Sequence, residues 1–247
     1  MLGFQRWQTP PSSSAYCNCD RRIFPGEGEY DIPKLKPLQD VDLTDCEAVG
    51  FNSVLSTESL ENKVVHFHID DYQFTRIWEY PDRWAGILRQ ARAVLAPDFS
   101  AYEDFPMAVQ HYNTYRKAWC AAFWQEHGAT VIPTLDWGLD PAQTWVYDGI
   151  PRNALVSVST LGGFSSKAQR ENWLEGFART VEILKPTRLL LIGSMWPGID
   201  QAYTGEIIVM ENDNIRRLKR LQERKKQEKL EKEKTDEVQG VPADAGL

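Results

Sequence analysis

The chain has 247 residues, of which 42% are hydrophobic and 26% are charged, and this composition excludes a mostly disordered protein. No apolar run reaches the ~18–20 residues that cross a bilayer, and the polar first segment does not resemble a signal peptide, so we expect a cytoplasmic protein. Four cysteines in a chain of this length exclude a small disulfide-stapled scaffold.

The net charge of −7 is unevenly distributed along the chain. Residues 216–234 hold ten Lys or Arg and four Asp or Glu, a local charge of +6, so the remaining residues carry −13. Such an acidic body is not typical of a protein that coats nucleic acid with its whole surface. The basic segment predicts either a solvated charged helix or a salt-sensitive contact with nucleic acid or an acidic partner.

Short apolar runs predict the strands of the chain. Residues 1–60 have no regular hydrophobic period, and their Pro, Ser and Gly clusters predict an irregular N-terminal layer. From Lys63 onward, apolar runs begin about 25 to 37 residues apart, the spacing of repeated strand–helix units. The predicted strands cover residues 64–69, 93–96, 130–135, 155–159 and 188–193. Their nearly continuous apolar content indicates strands that are covered on both faces.

Amphipathic segments between these runs predict helices. The predicted helices cover residues 81–93, 105–127 and 166–184. Pro106 lies in the first turn of the second helix, and Ser166 with Gln169 forms a capping-box pattern at the start of the third. Residues 206–210 predict an edge strand. We therefore expect an α/β fold at 60–210, a three-layer α/β/α domain with a mostly parallel central sheet of four to five strands. A charged C-terminal helix and tail follow at 211–247.

Polar and aromatic residues follow the predicted strands at their carboxyl ends. In open parallel sheets, ligands bind in the crevice beyond these ends. The opposite strand ends are not comparably rich in such residues. The candidate residues at this edge are Asp71, Asp98, Phe99, Ser100, Tyr102, Asp136, Trp137, Ser159, Thr160, Ser194 and Trp196. The sequence therefore predicts one cleft in which acids, hydroxyl groups and flat rings meet.

Each of these candidates also has a structural interpretation. Asp71 is able to cap the next turn, and Trp137 is able to close the end of the sheet. The turn at 159–163 is either an ordinary tight turn or a backbone cradle for phosphate, and it lacks the spacing and lysine of a P-loop. Asp98 is the most suggestive residue, because a proline-fixed turn presents it beside Phe, Ser and Tyr.

The longest predicted helix carries a charged residue on its apolar face. Arg116 lies in line with aromatic side chains, and Asn113 precedes it by about one turn. A buried guanidinium is unfavourable unless it is paired. We expect Arg116 either to brace Asp71 or Asp98 or to bind a phosphate.

The cysteines and histidines do not predict a metal site. The pairs Cys17-x-Cys19 and His66-x-His68 lack zinc-finger spacing, and the histidines fit better as packed strand residues. Cys120 lies in an apolar stretch and is interpreted as a core residue. No motif of a serine hydrolase, P-loop enzyme, zinc protease or dinucleotide-binding protein occurs, so we expect no metal and no cofactor.

Several segments resemble a family of unknown function that is found in bacteria, phages and mobile elements. The matching segments lie within residues 63–194 and include HFHIDDYQF, PDFSAY, NTYR and VSTLG. The patterns PDFS-x-Y and N-x-x-R are the most specific of them. This family label implies no activity.

More remotely, the chain resembles the uracil-DNA glycosylase superfamily, whose members have a parallel four-stranded sheet with helices on both sides. In that superfamily, an acid and an aromatic residue in the turn after an apolar strand line the base pocket. The resemblance implies that Asp98 activates water and that Phe99 or Tyr102 stacks on the base. The chain lacks a GQDPYH-like motif and has GSMWPG where a histidine-containing loop is expected, so no residue is assigned to the leaving base.

The resulting hypothesis is a DNA glycosylase that excises a modified base, such as a hydroxymethylated or glucosylated one, in defence against phages. Asp98 would stabilise the cationic sugar and orient water, with Asp71 as the second choice, while the other edge residues and Asn113 hold a flipped base or phosphate. The expected partner is DNA, without membrane association. One alternative is a non-enzymatic phage or plasmid replication accessory that binds nucleic acid through residues 215–234. Another is a hydrolase or transferase of a nucleotide or sugar at the same edge.

Overall fold

The computed structural model describes residues 17–102, 104–137, 143–162 and 166–212, together with residues 216, 221–224 and 227. Most of the predicted charged helix and tail at 211–247 lies outside the described residues, as do residues 1–16 of the predicted N-terminal layer. No helix of the described part is long and apolar enough to cross a membrane.

Parallel strands dominate the described part of the chain. The strands are β1 (Gly26–Glu27), β2 (Ile32–Pro33), β3 (Glu47–Gly50), β4 (Lys63–His66), β5 (Ala93–Leu95), β6 (Val131–Ile132), β7 (Leu155–Ser159), β8 (Arg188–Ile192) and β9 (Glu206–Met210). β1 and β2 form a short antiparallel pair, β3 to β6 a four-stranded parallel sheet, and β7 to β9 a three-stranded parallel sheet. A parallel bridge between Thr134 and Ser157 joins the two larger sheets. Strands β3 to β9 therefore follow one another in chain order.

The helices connect these strands. They are α1 (Arg76–Glu79), α2 (Pro81–Leu88), α3 (Met107–Glu126), α4 (Lys167–Leu184) and α5 (Ile199–Ala202), with 3₁₀ turns at Phe51–Ser56, Asp71–Gln73 and Thr144–Tyr147. The predicted capping box of α4 is confirmed, because Ser166 Oγ accepts from Gln169 N at 3.1 Å and Gln169 Oε1 accepts from Ser166 N at 3.0 Å. This cap fixes the start of the helix that covers β7 to β9.

The buried apolar side chains form three clusters in the described part. The first packs α1 to α3, including Trp119, against one face of β3 to β6. The second packs α4 and α5, including Phe177, against the same face of β7 to β9. The third consists of the alternate side chains of β3 to β9, such as Val64 and Leu190, together with Leu43. No described helix contributes to this third cluster, although Val64 and Leu190 are fully buried.

The predicted α/β class with a mostly parallel sheet is confirmed, and helices surround the sheet. The arrangement differs from an open three-layer sandwich in one respect. The helices in the first two clusters pack on one set of strand side chains, and the alternate strand side chains form the third cluster without a described helix. All the parallel strands end at the same edge, and the predicted candidate residues at strand ends lie there.

Candidate functional site

Two aspartates from neighbouring strand ends meet at the carboxyl edge of the sheet. Asp98 follows β5 and Asp136 follows β6, and the parallel pairing of these strands brings both to the same end. Their carboxyl groups lie close enough together for each to shift the pKa of the other. The Asp98 side chain is 33% exposed and that of Asp136 is 40% exposed. We call these two residues the aspartate pair.

Each member of the aspartate pair has its own partner from a different element. His68, which follows β4, places Nδ1 2.9 Å from Asp98 Oδ2. Lys117 of α3 forms an ion pair with Asp136. The side chains of His68 and Lys117 are only 5% and 10% exposed, so packing holds both groups in position. Two carboxylates are thereby kept side by side, where like charges would otherwise separate them.

The environments push the pKa values of the aspartate pair apart. Burial alone would raise the pKa of Asp98, but the hydrogen bond and electrostatic interaction with His68, aided by Lys117, hold it at about 2. Burial raises the pKa of Asp136 above its usual value; Lys117 opposes this rise, and the negative charge of Asp98 adds to it. Because the two groups titrate as a pair, Asp98 carries the charge and Asp136 is the member that takes up a proton more readily. This division is typical of carboxyl pairs with separate acid and base roles.

A pocket lies beside Asp136, between α3, the end of β6 and the 3₁₀ turn Thr144–Tyr147. It encloses about 610 Å³, including its opening to solvent. Its polar and aromatic lining consists of Gln110, Thr114, Lys117, Thr134, Asp136, Trp137, Gln143, Trp145 and Asp148. The pocket therefore combines charged groups with flat rings next to the aspartate pair.

Packed rings hold the two tryptophans of the pocket. His111 of α3 lies between Tyr30 and Trp145, with ring-centroid distances of 3.8 and 4.2 Å. Trp137 contacts Trp173 of α4 edge-on at 5.1 Å. A Cβ at Gly176 would lie 2.0 Å from Trp137 Cδ1, so a larger residue there would displace this ring.

Three predicted site residues support the turn that carries Asp98. The Asp71 carboxylate accepts hydrogen bonds from Ser100 N at 3.1 Å and from Ser100 Oγ at 2.8 Å. Asn113 of α3 donates its side-chain amide to Ser100 O. These contacts leave Asp71 bonded to the backbone of the turn, whereas Asp98 contacts His68 and Asp136. The structure therefore places Asp71, the second catalytic candidate, in a bracing position.

The predicted stacking residues near Asp98 lie outside the pocket. Phe99 is 2% exposed and packs in the core against Phe74, with the Arg116 guanidinium 4.1 Å from its ring centroid. Arg116 also donates to Asn113 Oδ1 at 2.6 Å, and it forms no salt bridge with Asp71 or Asp98, both of which the structure describes. Tyr102 is 62% exposed and contacts Phe105 edge-on.

The remaining candidates form a separate group at the ends of β7 and β8, which we call the hydroxyl turn (Ser159, Thr160 and Ser194). Thr160 Oγ1 accepts from Ser194 N at 2.8 Å and donates to Ser194 O at 2.9 Å. Ser159 Oγ accepts from Leu161 N at 3.0 Å and donates to Ile192 O at 3.3 Å. These hydroxyls therefore bind the backbone.

Trp196 links the hydroxyl turn to the pocket through other rings. It contacts Trp173 at 5.2 Å, and Trp173 in turn contacts Trp137. The structure thus joins Asp98, Asp136 and Trp137 at one place, with Trp196 one ring further away.

Sequence reasoning missed several residues of this site. His68 was interpreted as a packed strand residue, although it follows β4 directly into the edge where Asp98 lies. Lys117 and Gln110 belong to a polar stripe, Gln110, Thr114 and Lys117, whose spacing of four and three residues places them on one face of α3. This stripe was the sequence pattern from which Lys117 and Gln110 could have been predicted as site residues. Trp145 and Asp148 lie in a segment that no predicted element covers.

The described residues contain no cluster of three or more His, Cys, Asp or Glu side chains that could hold a metal ion. Cys17 and Cys19 are exposed thiols, and Cys120 is buried.

Comparison with known proteins identifies relatives of the chain. Residues 24–213 match the family described as a domain of unknown function, DUF4417. The Gene 1 protein of Mycobacterium phage L5 is 32% identical over 191 residues, which cover 76% of this chain and 82% of the relative. The Gene 1 protein of Mycobacterium phage D29 is also 32% identical over 191 residues, covering 76% of this chain and 69% of the relative. No solved structure matches the chain, and the resemblance to uracil-DNA glycosylases stays a prediction.

Proposed function

This chain belongs to the DUF4417 family, whose function is unknown, and we propose that it is a DNA glycosylase, an enzyme that hydrolyses the bond between a base and its deoxyribose. The observation that supports this proposal is the aspartate pair, with pKa values shifted in opposite directions beside a pocket that contains two tryptophans. The phage relatives suit a substrate made during infection, a hydroxymethylated or glucosylated base.

Asp98 has the properties of the residue that stabilises the reacting sugar. Cleavage of an N-glycosidic bond develops positive charge on the sugar, as in glycoside hydrolysis. Because the pKa of Asp98 is held at about 2, its carboxylate is negative at neutral pH. A fixed negative charge stabilises the developing cation and orients the attacking water, from which it can accept a proton.

Asp136 is suited to stabilise the leaving base, a role to which the sequence analysis assigned no residue. Its raised pKa makes it the better proton donor of the pair, and Lys117 holds a positive charge beside it. A departing base gains negative charge, so a proton or a cation at this place stabilises it. Asp98 and Asp136 then serve opposite ends of the same breaking bond.

The tryptophans of the pocket suit the holding of a flipped base. Extrusion of a base from the duplex costs a few kcal/mol, and each base–aromatic stack returns about 1–3 kcal/mol. Trp137 and Trp145 line the pocket, whereas Phe99 lies in the core. We therefore transfer the stacking role from Phe99 to these two rings.

The test is an assay for abasic sites. The purified chain is incubated with DNA that contains cytosine, uracil, hydroxymethylcytosine or glucosyl-hydroxymethylcytosine, and alkali then cleaves any abasic product. We expect strand cleavage with a modified base and a loss of roughly 10²–10⁴-fold in Asp98→Asn. Asp70→Asn makes the same chemical change at an exposed neighbour and should leave the rate within about threefold of wild type. Absence of cleavage on all four substrates overturns the proposal.

The alternative of a non-enzymatic nucleic-acid-binding accessory depends on the charge of +6 at residues 216–234. Replacing Lys225 and Lys226 by glutamine lowers this charge without shortening the chain. If these substitutions abolish DNA binding while Asp98→Asn changes nothing, the accessory function is favoured over the glycosylase.

A further inference from the structure

The lining of the pocket is rich in hydrogen-bond acceptors. Asp136 and Asp148 contribute two carboxyl groups, and Lys117 contributes the one cation among the described lining residues. The ammonium group of Lys117 is already paired with Asp136. Gln110, which is 5% exposed, donates its amide nitrogen to Phe105 O at 2.8 Å, which leaves its amide oxygen for the pocket. An incoming ligand therefore meets the carboxyl groups of Asp136 and Asp148, with the hydroxyl of Thr114 and the amide of Gln143 also in the lining.

Asp148 is held against the first hairpin of the chain. A Cβ at Gly28 would lie 1.8 Å from Asp148 Oδ2, so the carboxyl group packs directly on the backbone of this glycine. The next residue, Gly149, donates its backbone N–H to Glu27 Oε2 at 3.0 Å. Because the turn between β1 and β2 fixes both residues, Asp148 is a preorganised acceptor.

The flat wall of the pocket limits the shape of the ligand. Trp145 is held by the ring of His111, and Trp137 is held by Trp173. Rings held in this way favour a planar ligand, since stacking needs no rearrangement of the protein.

We infer that this pocket takes a planar heterocycle whose edge donates hydrogen bonds, namely a base with an exocyclic amine. The cytosine N4 amine is the group that carboxylates of proteins accept hydrogen bonds from in base recognition. Uracil and thymine present a carbonyl oxygen at the same position, which would place a second acceptor against the Asp148 carboxylate. The inference depends on the proposed function for its biological meaning, and it makes cytosine-type bases the substrate class.

The test measures binding of free nucleosides to the full chain by isothermal titration calorimetry. We expect cytidine and 5-hydroxymethylcytidine to bind at least tenfold more tightly than uridine and thymidine. Asp148→Asn should reduce this preference at least threefold, while Asp200→Asn, which removes the same charge from the exposed surface of α5, should preserve it. Trp145→Ala should weaken binding of all the nucleosides.

The wild-type titration alone can overturn the inference. Equal affinity for cytidine and uridine, a preference for uridine, or no saturable binding would each do so. The binding assay does not need catalysis, so the two proposals fail separately. Preferential binding of cytidine without abasic sites in DNA overturns the glycosylase and leaves the pocket assignment standing. Excision of uracil from DNA, together with no preference of the pocket for amine-bearing bases, overturns the pocket assignment and leaves the glycosylase standing.

Discussion

Polar residues at two pairs of strand ends, on the same edge of the molecule, have opposite kinds of partners. At the ends of β5 and β6, the aspartate pair holds two carboxyl groups near each other and partly open to solvent. At the ends of β7 and β8, the hydroxyl turn bonds its side chains to backbone groups, as Thr160 does with both Ser194 N and Ser194 O. One region has unbalanced charge and the other has satisfied hydrogen bonds.

This difference shows that position at the carboxyl edge of a parallel sheet does not by itself define a functional residue. A hydroxyl that both donates to and accepts from the same backbone stabilises a turn, and it has little capacity left for a ligand. Two carboxyl groups beside each other cannot both ionise freely, so one of them is set to exchange a proton.

The largest effect on stability is expected at the aspartate pair. Lys117→Met removes the nearly buried cation beside Asp136 and should lower the free energy of unfolding by about 2 kcal/mol, less than the ~3–5 kcal/mol of a fully buried pair because Asp136 contacts water. Urea denaturation at pH 7 measures this change. The double variant with Asp136→Asn should recover part of the loss, since no unpaired carboxylate remains.

A surface ion pair serves as the control for this substitution. Lys167 and Glu171 form an exposed pair on α4, with side chains 91% and 62% exposed. Such pairs contribute little, so Lys167→Met should change stability by less than about 0.5 kcal/mol. If Lys117→Met is no more destabilising than Lys167→Met, the aspartate pair is not held together by its buried partner.

A smaller effect is expected at the hydroxyl turn. Thr160→Val keeps the shape of the side chain but removes both hydrogen bonds to Ser194. We expect a loss of about 1 kcal/mol, because the exposed Ser194 backbone can bind water instead. Glycosylase activity, where measured, should stay within about threefold of wild type. A large loss of activity with unchanged stability would make Thr160 functional and would erase the contrast between the two regions.

The edge of the sheet was predictable from the sequence because strand ends are local. Runs of apolar residues at the spacing of strand–helix units placed Asp98, Asp136 and Thr160 at carboxyl ends, and the capping box at Ser166 fixed the start of α4. β3 was missed, since Glu47–Gly50 is too short to stand out in a segment without a regular period.

The hydrogen-bond and ion-pair partners of the residues at the strand ends were not predictable from the sequence in the same way. The local turn singled out Asp98, but it did not show that Asp71 braces this turn through Ser100 while Asp98 bonds to His68. Both aspartates follow strands, and the pairing of β5 with β6 places Asp98 next to the strand end that carries Asp136. The resemblance to uracil-DNA glycosylases implied that Phe99 stacks on a base, but the turn directs this ring into the core.

The smallest effect is expected in the acid dependence of stability. Because the pKa of Asp98 is about 2 in the folded chain, below its usual 3.8, its contribution to stability is present above pH 4 and is lost as the pH falls towards 2. The raised pKa of Asp136 acts with the opposite sign, since the folded state then binds its proton more tightly, so the two contributions partly cancel. Asp98→Asn should therefore lose less stability than wild type between pH 4 and pH 2 in urea titrations. Ser159→Ala, at the hydroxyl turn, should retain the wild-type acid dependence. If the free energy of unfolding falls equally steeply with pH in wild type, Asp98→Asn and Ser159→Ala, then His68 does not hold Asp98 in its ionised form.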